Sequence, residues 1–580
     1  MAEAHNAGQA FATVLVDELV RHGMTDAVVA PGSRSTPVAL ALLADHRVRV
    51  HVRIDERSAA YLALGIARFS RRVVPVLCTS GTATSYLHGA VMEADLSRVP
   101  LLALTADRPA GLRGTGANQT IDQVALFGSA VRLAVDAPLP ASEPGVVGHW
   151  RTLVTAAAQH CLGTGARRGE PPGPVQLNLP FDEPLLPVDD DAGFPFSLGL
   201  EKPNPAVEPD PPRDDVPPEL ARALHGVTRG VVVCGDTPSA MAEAATELAG
   251  RASWPLLAEP HSNARRGASA LRATDAVLRD PGFAAAHRPD LAIVVGRVGL
   301  SRALLGWLAE TPHVVVDPYG SGWDVTRTAR AVIRCSAGSL AAASVTPAEP
   351  AWFAGWEAAA TAAGDAIDAM LDATPELSEP LVAREVAATV PDDTALVVSS
   401  SMPIRDLDTV MRPRALRLVA NRGVSGIDGF VSTAQGVAVA HDGPTVALAG
   451  DLSLLHDVNG LLPGPDDRPD VTYVVINNDG GGIFSLLPQA AGVAHDDFER
   501  VFGTPHGMRL ADLAAAYRIS HAEVRDVEAL RSHLVSPAGL RIVEIRTDRT
   551  SNQQLHDRMR AAATSAVAGL RLGSNGQRPQ

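Results

Sequence analysis

The chain has 580 residues, a formal net charge of −15, 46% hydrophobic residues and 20% charged residues. Its length predicts three or four domains with ample apolar core, and its negative charge argues against nucleic-acid binding by bulk electrostatics. Four scattered cysteines without CxxC spacing indicate reduced core residues of a cytoplasmic protein, and the absence of a long apolar run or a basic N-terminal leader predicts neither a membrane span nor a secretion signal.

Apolar runs alternate with helical patterns in the first third of the chain, and this alternation predicts a doubly wound parallel sheet. The predicted strands are 27–30, 48–54, 73–77, 100–104 and 175–179. Glu56 stands at a strand-to-helix corner. It is either a charge partner of the helix N-terminus or a partly buried acid suited to proton transfer. The sequence leaves both interpretations open.

A stretch with seven prolines, residues 201–218, predicts a linker, and residues 346–353 predict a second one. Between them the apolar runs predict a smaller α/β region with strands 230–234, 291–295 and 313–316. The turn after the middle strand, GRVGLSR, places Arg297 and Arg302 at the mouth of that predicted sheet.

The last third repeats the first in outline, which indicates duplication of one α/β unit rather than a short-period repeat. The predicted strands are 395–398, 416–420, 445–449, 471–476 and 540–545. Polar loops follow these strands and carry Ser401, Arg405 and Arg422. Each arginine taken singly is also consistent with a surface salt bridge.

The stretch 450–484 reads GDLSLLHDVNGLLPGPDDRPDVTYVVINNDGGGIF. It places Asp451 and Asn478 at the carboxyl ends of two predicted parallel strands, where such sheets bind ligands. One carboxylate, one amide oxygen and a glycine-rich turn suit a hard divalent cation that carries a diphosphate. The alternative is an ordinary βαβ unit in which GD and NN occur by chance.

The GD…NN spacing resembles the signature of thiamine diphosphate (ThDP) enzymes. Further motifs are similar to those of the synthases that make 2-succinyl-5-enolpyruvyl-6-hydroxy-3-cyclohexene-1-carboxylate in menaquinone biosynthesis, the MenD family. They are PGSRSTP at 31–37, DERSAAYLALGIA at 55–67, TADRP at 105–109, GANQ at 116–119, NRGVSGIDG at 421–429 and NNDGGGIFSLLP at 477–488. The resemblance covers essentially the whole chain. It implies a pyrimidine-binding domain at 1–190, a central domain at 219–345 and a diphosphate- and Mg²⁺-binding domain at 354–572.

The same resemblance implies the roles of individual residues. The metal ion, Mg²⁺ or Mn²⁺, would be held by Asp451, Asn478 and Gly480. The catalytic residues would be Glu56, Arg405 and Arg422. ThDP would contact Glu56, Ser401, Ile427, Asp451, Ser453, Asn478, Gly480 and Ile483. The substrates would contact Ser33, Arg34, Arg108, Asn118, Gln119, Arg302, Ser401, Arg405, Arg422, Phe484 and Leu487.

The implied reaction is ThDP-dependent decarboxylation of 2-oxoglutarate, followed by 1,4-addition of the succinyl carbanion to isochorismate. Glu56 would hydrogen-bond the aminopyrimidine of the cofactor, and Ile427 would enforce its V shape. Both substrates are dicarboxylates, which favours arginine as the binding residue. This chain has Ser301-Arg302 where some family members have Lys-Arg, so one cation is lost. Arg297 is the candidate that compensates.

Two other function classes stay open from the sequence. One is another ThDP-dependent decarboxylase or carboligase, which the absence of a His-His pair and of a glycine-rich flavin site weakens. The other is a non-enzymatic binding protein on this fold, which the presence of Glu56, Asp451 and Asn478 argues against. The resemblance further implies a homodimer or dimer of dimers, because such enzymes bind the cofactor between the first domain of one chain and the third domain of another.

Overall fold

The structure is a computed structural model that describes residues 6–165, 169–187, 194–200, 215–374, 376–462, 464 and 468–575. The chain divides into two compact units. The first unit comprises residues 1–210, 421–442 and 453–470, and the second comprises 211–420, 443–452 and 471–580. The last third of the sequence therefore contributes to both units.

The elements follow one another in a regular alternation. The strands are β1 (Asp26–Val29), β2 (Arg49–Val52), β3 (Val74–Cys78), β4 (Leu101–Asp107), β5 (Leu133–Asp136), β6 (Val175–Pro180), β7 (Gly230–Cys234), β8 (Leu256–Ala258), β9 (Leu291–Val295), β10 (His313–Asp317), β11 (Val332–Arg334), β12 (Ala395–Val398), β13 (Arg417–Val419), β14 (Thr445–Gly450), β15 (Thr472–Asn477), β16 (Ser520–Glu523) and β17 (Arg541–Arg546). The helices are α1 (Ala7–Arg21), α2 (Thr36–Ala44), α3 (Glu56–Ser70), α4 (Thr82–Ser85), α5 (His88–Ser97), α6 (Val146–Leu162), α7 (Pro218–Leu224), α8 (Ser239–Ala252), α9 (Thr274–Leu278), α10 (Pro281–Ala286), α11 (Arg302–Ala309), α12 (Ala337–Ala342), α13 (Pro350–Asp372), α14 (Glu379–Thr389), α15 (Met402–Val410), α16 (Phe430–Ala440), α17 (Asp451–His456), α18 (Gln489–Gly492), α19 (His495–Phe498), α20 (Leu510–Ala516), α21 (Val527–Val535) and α22 (Arg549–Asn575).

The first unit is built on a parallel sheet with the strand order β2-β1-β3-β4-β6-β5. Its four inner strands, β1, β3, β4 and β6, are buried along their whole length. Strands covered by helices on both faces favour apolar residues, which is why these segments are rich in Val, Leu and Ala. Their buried polar residues bond one another, as Thr105 does with Asn178 at 3.0 Å.

Helices α3 and α16 of the first unit pack against each other through glycines. A Cβ atom on Gly65 would lie 2.3 Å from the carbonyl oxygen of Thr433, and one on Gly436 would lie 2.2 Å from that of Leu62. The two backbones are thus in direct contact, and larger residues at these positions would push the helices apart. The loop 421–429, which leads into α16, is held near α3 by this packing.

The second unit contains two parallel sheets. One has the strand order β11-β10-β9-β7-β8, and the other has the order β13-β12-β14-β15-β17-β16. In the second of these sheets β14 and β15 are neighbours, and Gly450 pairs with Ile476. The two strands therefore end at the same edge of the sheet.

The prediction of doubly wound parallel sheets is confirmed, since the named strands of all three sheets pair in parallel with intervening helices. Four strands were not predicted: β5, β8, β11 and β16. Residues 346–353 were predicted as a linker, but α13 begins at Pro350, because the AWFAGWEAAA pattern that follows buries Trp352 and Trp356 at helical spacing. Residues 201–214 of the other predicted linker lie outside the described residues. Among the described helices, none is long and apolar enough to cross a membrane.

Candidate active site

Two predicted metal ligands come from neighbouring strand ends in the second unit. Asp451 is the first residue after β14 and begins α17, and Asn478 directly follows β15. Because β14 and β15 are paired neighbours, these two side chains share one edge of the sheet. The prediction that Asp451 and Asn478 lie at the carboxyl ends of two parallel strands is confirmed, and their role as metal ligands stays a prediction.

The Asp451 carboxylate is buried and fully engaged. One oxygen accepts a hydrogen bond from the backbone N–H of Leu452 at 2.7 Å. The other accepts from the N–H of Gly480 at 2.9 Å and contacts Nε2 of His506 at 3.1 Å. Burial raises the pKa of Asp451, and these donors partly offset that rise. A cation beside the carboxylate would favour its ionised form in the same direction.

The side-chain amide of Asn478 is held by one hydrogen bond through its nitrogen, which leaves its oxygen available. Its Nδ2 donates to Glu379 at 2.8 Å, which fixes the orientation of the amide. Its Oδ1 is buried and finds no hydrogen-bond partner among the described residues. A buried acceptor without a donor is available to a ligand or an ion.

The glycine-rich turn completes the oxygen set. Gly480 has φ +137°, and a Cβ atom there would lie 1.9 Å from the carbonyl oxygen of Gly503. Only glycine therefore fits, and its backbone comes close to Asp451. A carboxylate, an amide oxygen and a backbone carbonyl are the hard donors that Mg²⁺ takes, so the residues present fit the ion. The described residues hold no cluster of three His, Cys, Asp or Glu side chains that could bind a metal, but this mixed set does not need one.

Glu56, in the first unit, is the first residue of α3 and is half-buried. The helix is capped by the residue before it: Asp55 accepts hydrogen bonds from the N–H groups of Arg57 at 2.9 Å and Ser58 at 3.2 Å. Glu56 lies near Cys78 at the end of β3, where burial, and then the charge of Glu56, raise the pKa of the thiol. Asp55 caps the helix and Glu56 is the acidic residue of its first turn, so both interpretations of Glu56, charge partner of the helix N-terminus and proton-transfer group, stay open.

The loop 421–429, with Arg422 and Ile427, is anchored at both ends within the first unit. At one end the Glu93 carboxylate accepts hydrogen bonds from the N–H groups of Gly423 and Val424, each at 2.7 Å. At the other end Asp428 accepts a short hydrogen bond from the Tyr61 hydroxyl. Both anchors, α5 and α3, are rigid helices, so the loop has a defined position.

A second set of contacts in the first unit fixes the start of α16 to α3. The buried Asp457 accepts from the N–H of Ser432 at 2.7 Å and from the hydroxyl of Ser58 at 3.2 Å. Burial raises the pKa of Asp457 to about 6. Ser453, one turn earlier, is 3% exposed. Ser58 lies two residues after Glu56, so this network braces the turn that carries the glutamate.

Predicted carboxylate-binding residues of the first unit lie together. Arg108 donates to the Ser80 hydroxyl at 2.6 Å and to the carbonyl of Gln119. Burial lowers the pKa of Arg108, and the positive charge of Arg34 lowers it further, so the two guanidinium groups are close. Arg34 donates to the carbonyl of Phe181 at 3.0 Å. Glu183 pairs with Arg34 at 3.3 Å and, with a side chain 67% exposed, can yield its place to another carboxylate. The two guanidinium groups are therefore suited to an anion that competes with Glu183.

The second unit contains a cavity of about 390 Å³. Four of the predicted site residues line it: Arg302, Arg405, Ile483 and Leu487. Arg405 donates from Nη1 to the carbonyl of Ser401 at 2.7 Å, one turn earlier. Ser401 itself has φ +76° and is the residue before α15. Phe484 packs against Phe502 with ring centroids 5.5 Å apart and is not among the residues that line the cavity.

The predicted site residues divide between the two units. In the first unit are Ser33, Arg34, Glu56, Arg108, Asn118, Gln119, Arg422, Ile427 and Ser453. In the second are Arg302, Ser401, Arg405, Asp451, Asn478, Gly480, Ile483, Phe484 and Leu487. Ser33 and Asn118 are exposed. The ligand roles of all these residues stay predictions.

Several residues at these sites were not predicted: Glu379, His506, Glu93, Tyr61, Asp457 and Arg279. Tyr61 and Asp457 lie inside the quoted stretches 55–67 and 450–484, where their contacts could not be read from the pattern. Glu379, Glu93 and His506 come from other parts of the chain; Glu379, for example, lies 99 residues before the amide that it holds. No local motif marks these three, and only the topology of the sheet could have pointed to Glu379 and His506.

Comparison with known protein families agrees with this architecture. Residues 9–126 match the N-terminal ThDP (thiamine pyrophosphate) binding domain of thiamine pyrophosphate enzymes, residues 211–398 match their middle domain, and residues 407–537 match their C-terminal binding domain. The fold and the site therefore define a ThDP enzyme.

Curated relatives narrow the family. A 2-succinyl-5-enolpyruvyl-6-hydroxy-3-cyclohexene-1-carboxylate synthase of Thermobifida fusca is 50% identical over 573 residues, covering 97% of this chain and 100% of the relative. A synthase of the same name from Saccharopolyspora erythraea is 43% identical, covering 97% of this chain and 100% of the relative. Another, from Geobacillus kaustophilus, is 39% identical, covering 94% of this chain and 96% of the relative. The chain belongs to this synthase family, the MenD family, and ThDP is its cofactor.

Proposed function

We propose that this chain condenses 2-oxoglutarate with isochorismate, with loss of CO₂, to form 2-succinyl-5-enolpyruvyl-6-hydroxy-3-cyclohexene-1-carboxylate in menaquinone biosynthesis. The observation that carries the proposal is the full-length identity of 50% with a synthase of this name. Bound ThDP supplies the electron sink that lets a 2-oxo acid lose CO₂ and transfer the remaining carbanion. The protein supplies binding, orientation and proton transfer.

The residues of the second unit hold the diphosphate end of the cofactor in this proposal. Asp451, the free Oδ1 of Asn478 and the carbonyl of Gly480 are three hard oxygens for Mg²⁺ or Mn²⁺. Glu379 keeps the amide turned so that its oxygen is available. These residues would hold a divalent metal ion, which would offset the charge of the diphosphate.

Glu56 holds a proton at the aminopyrimidine end of the cofactor in this proposal. A half-buried carboxylate at a helix start can exchange that proton with a ring nitrogen. The anchored loop 421–429 supplies Ile427 as an apolar support for the cofactor and Arg422 as a cation for substrate.

The arginines bind the substrate carboxylates. Arg34 and Arg108 form one pair in the first unit, and Arg302 and Arg405 line the cavity of the second unit. Guanidinium groups bind carboxylates through two parallel hydrogen bonds, so they orient a dicarboxylate as well as attract it. Ile483 and Leu487 in the cavity wall exclude water from the reacting carbon.

The experiment that tests the function measures isochorismate consumption by the purified protein with ThDP, Mg²⁺ and 2-oxoglutarate, each omitted in turn. We expect isochorismate loss and CO₂ release only in the complete mixture. Release of CO₂ from 2-oxoglutarate without any loss of isochorismate would instead assign the chain to another ThDP-dependent decarboxylase or carboligase.

We also propose that the chain acts in the cytoplasm as a homo-oligomer, a dimer or dimer of dimers, whose active site combines Glu56 of one protomer with Asp451 of another. The four cysteines are free and buried, which suits a reducing compartment.

A shared site predicts complementation between two inactive variants. Mixed Glu56→Gln and Asp451→Ala chains, unfolded and refolded together, should regain activity, since a heterodimer holds one intact site.

The two variants refolded separately and then combined at low temperature serve as the control, because their subunits exchange less. If co-refolded chains stay as inactive as either variant alone, while size measurements show that heterodimers form, Glu56 and Asp451 of one chain serve the same site.

A further inference from the structure

Four arginines line the 390 Å³ cavity of the second unit, two more than the sequence predicted. The additional two are Arg279, which follows α9, and Arg560 on α22. Arg560 forms an exposed pair with Asp557 at 3.0 Å, within its own helix. Arg279 differs from Arg560 because its partner, Asp275, also hydrogen-bonds to Ser301, at the start of another helix of the cavity wall.

Arg279 belongs to a chain of hydrogen bonds that crosses the wall of the cavity. Its Nε donates to Asp275 at 2.6 Å. The other oxygen of Asp275 accepts from the hydroxyl of Ser301 at 2.5 Å. Ser301 also caps α11, accepting from the N–H of Leu304 at 3.0 Å. Ser301, Asp275 and Arg279 all line the cavity.

We propose that Arg279 binds a carboxylate of a dicarboxylate substrate and that Asp275 and Ser301 position it; this inference rests on the proposed function. Asp275 engages the Nε side of the guanidinium, with its contact to Nη2 stretched to 3.4 Å. The Nη1–Nη2 edge therefore has donors left for a bidentate carboxylate contact. The Arg279 side chain is 41% exposed, so a substrate can reach it.

The charge balance of the cavity favours an anion. Its wall carries the four guanidinium groups and two carboxylates, Asp275 and Asp408. Asp408 already pairs with the buried Arg265. Asp275 pairs with Arg279, and Asp557, next to the wall, pairs with Arg560. The four guanidinium groups still outnumber these two carboxylates, which leaves a net positive site for a dianion.

The hydrogen bond from Ser301 to Asp275 also gives a role to the serine that stands where some family members have lysine. The serine supplies no cation itself, but it holds the carboxylate that holds Arg279. Arg297, which the sequence offered as the compensating cation, lies over the Trp323 ring at 5.2 Å and near Asp236 at 3.8 Å. Arg297 is not among the described residues that line the cavity.

The test compares steady-state constants of the holoenzyme and its Arg279→Gln variant for both substrates. We expect KM for at least one dicarboxylate to rise about 10- to 100-fold, the effect of one lost charge-assisted hydrogen bond. We expect kcat and ThDP affinity to change little. Asp275→Asn should raise the same KM by a smaller factor, because the arginine is kept but loses its support. Adding Ser301→Lys to Arg279→Gln places a lysine in the same wall. This double variant should regain much of the affinity for the dicarboxylate substrate.

Arg288→Gln is the matched control. Arg288 lies in the same unit, is 44% exposed and is also paired with a carboxylate, Glu310 at 2.8 Å. Equal constants for Arg279→Gln and Arg288→Gln, in a protein whose wild type is active, would overturn the inference alone. An inactive wild type would overturn the proposed function and this inference with it.

Discussion

Replacing Glu56 by Gln should leave ThDP binding intact and reduce turnover by about 10²- to 10⁴-fold, the usual contribution of a general acid or base. Glutamine has nearly the same shape and still offers an oxygen to its neighbours, but it cannot carry the charge or exchange the proton. Helix α3 should keep its stability, because its cap is Asp55 and its first turn is tied to Asp457 through Ser58. The measurements are kcat for isochorismate consumption and a ThDP titration.

Glu143→Gln controls for the loss of one negative charge in the same unit, since Glu143 lies in an exposed loop. This control should match wild type in kcat and in melting temperature. Full turnover in Glu56→Gln would show that the carboxylate is not the proton-exchanging group. Lost ThDP binding together with a lowered melting temperature would point to a structural role at the start of α3.

The strands that could be predicted from sequence differ physically from those that could not. Strands β7 and β9 were predicted with the bounds found, because they are buried at every residue and flanked by turn residues. Strand β16, SHAE, has no fully buried residue, and β5, LAVD, alternates between half-buried and exposed positions. Both lie at sheet edges, where one side has no neighbour and hydrophobic patterning is weak. Strands β8 and β11 have three residues each, too few for a periodic signal.

The candidate site, like the strands, could be predicted only in part from the sequence. The adjacency of Asp451 and Asn478 follows from two strand ends in a parallel sheet, so a local pattern and a topological rule suffice. The partners that orient them do not follow from any pattern. Glu379 begins α14, and His506 lies in a loop before α20. Both reach the edge where β14 and β15 end only because the sheet brings distant segments together. Likewise Asp275 and Ser301 meet across the cavity wall although 26 residues separate them.

The two units contribute different chemistry to the proposed reaction. The first unit places a carboxylate, Glu56, beside a braced loop and a pair of guanidinium groups. The second unit provides the hard oxygens for a metal and a cavity rich in cations. This division of roles is what makes complementation between inactive chains informative.

Replacing Asp451 by Ala should weaken Mg²⁺-dependent ThDP binding by more than about 100-fold, beyond the 10- to 100-fold typical of residues that only support a ligand. Asp451 would supply the one carboxylate of the metal set, and its removal would also free the Gly480 N–H and His506 that it now holds. The measurement is a ThDP titration at several Mg²⁺ concentrations, which separates lost metal affinity from a collapsed pocket. A lost metal ligand shifts the Mg²⁺ dependence, and enough Mg²⁺ should recover part of the binding.

Two further variants test whether the loss of ThDP affinity is specific to Asp451. Glu379→Met removes the acceptor that orients the Asn478 amide at nearly constant volume, so we expect a loss within about 10- to 100-fold. Asp512→Ala removes a largely exposed acid of the same unit, 65% accessible, and should leave the titration unchanged. Unaltered ThDP affinity in Asp451→Ala at every Mg²⁺ concentration would place the metal elsewhere. The graded order Asp451, then Glu379, then Asp512 is what the oxygen set at the end of β14 and β15 requires, because the contribution of each residue depends on how directly it contacts or supports the ion.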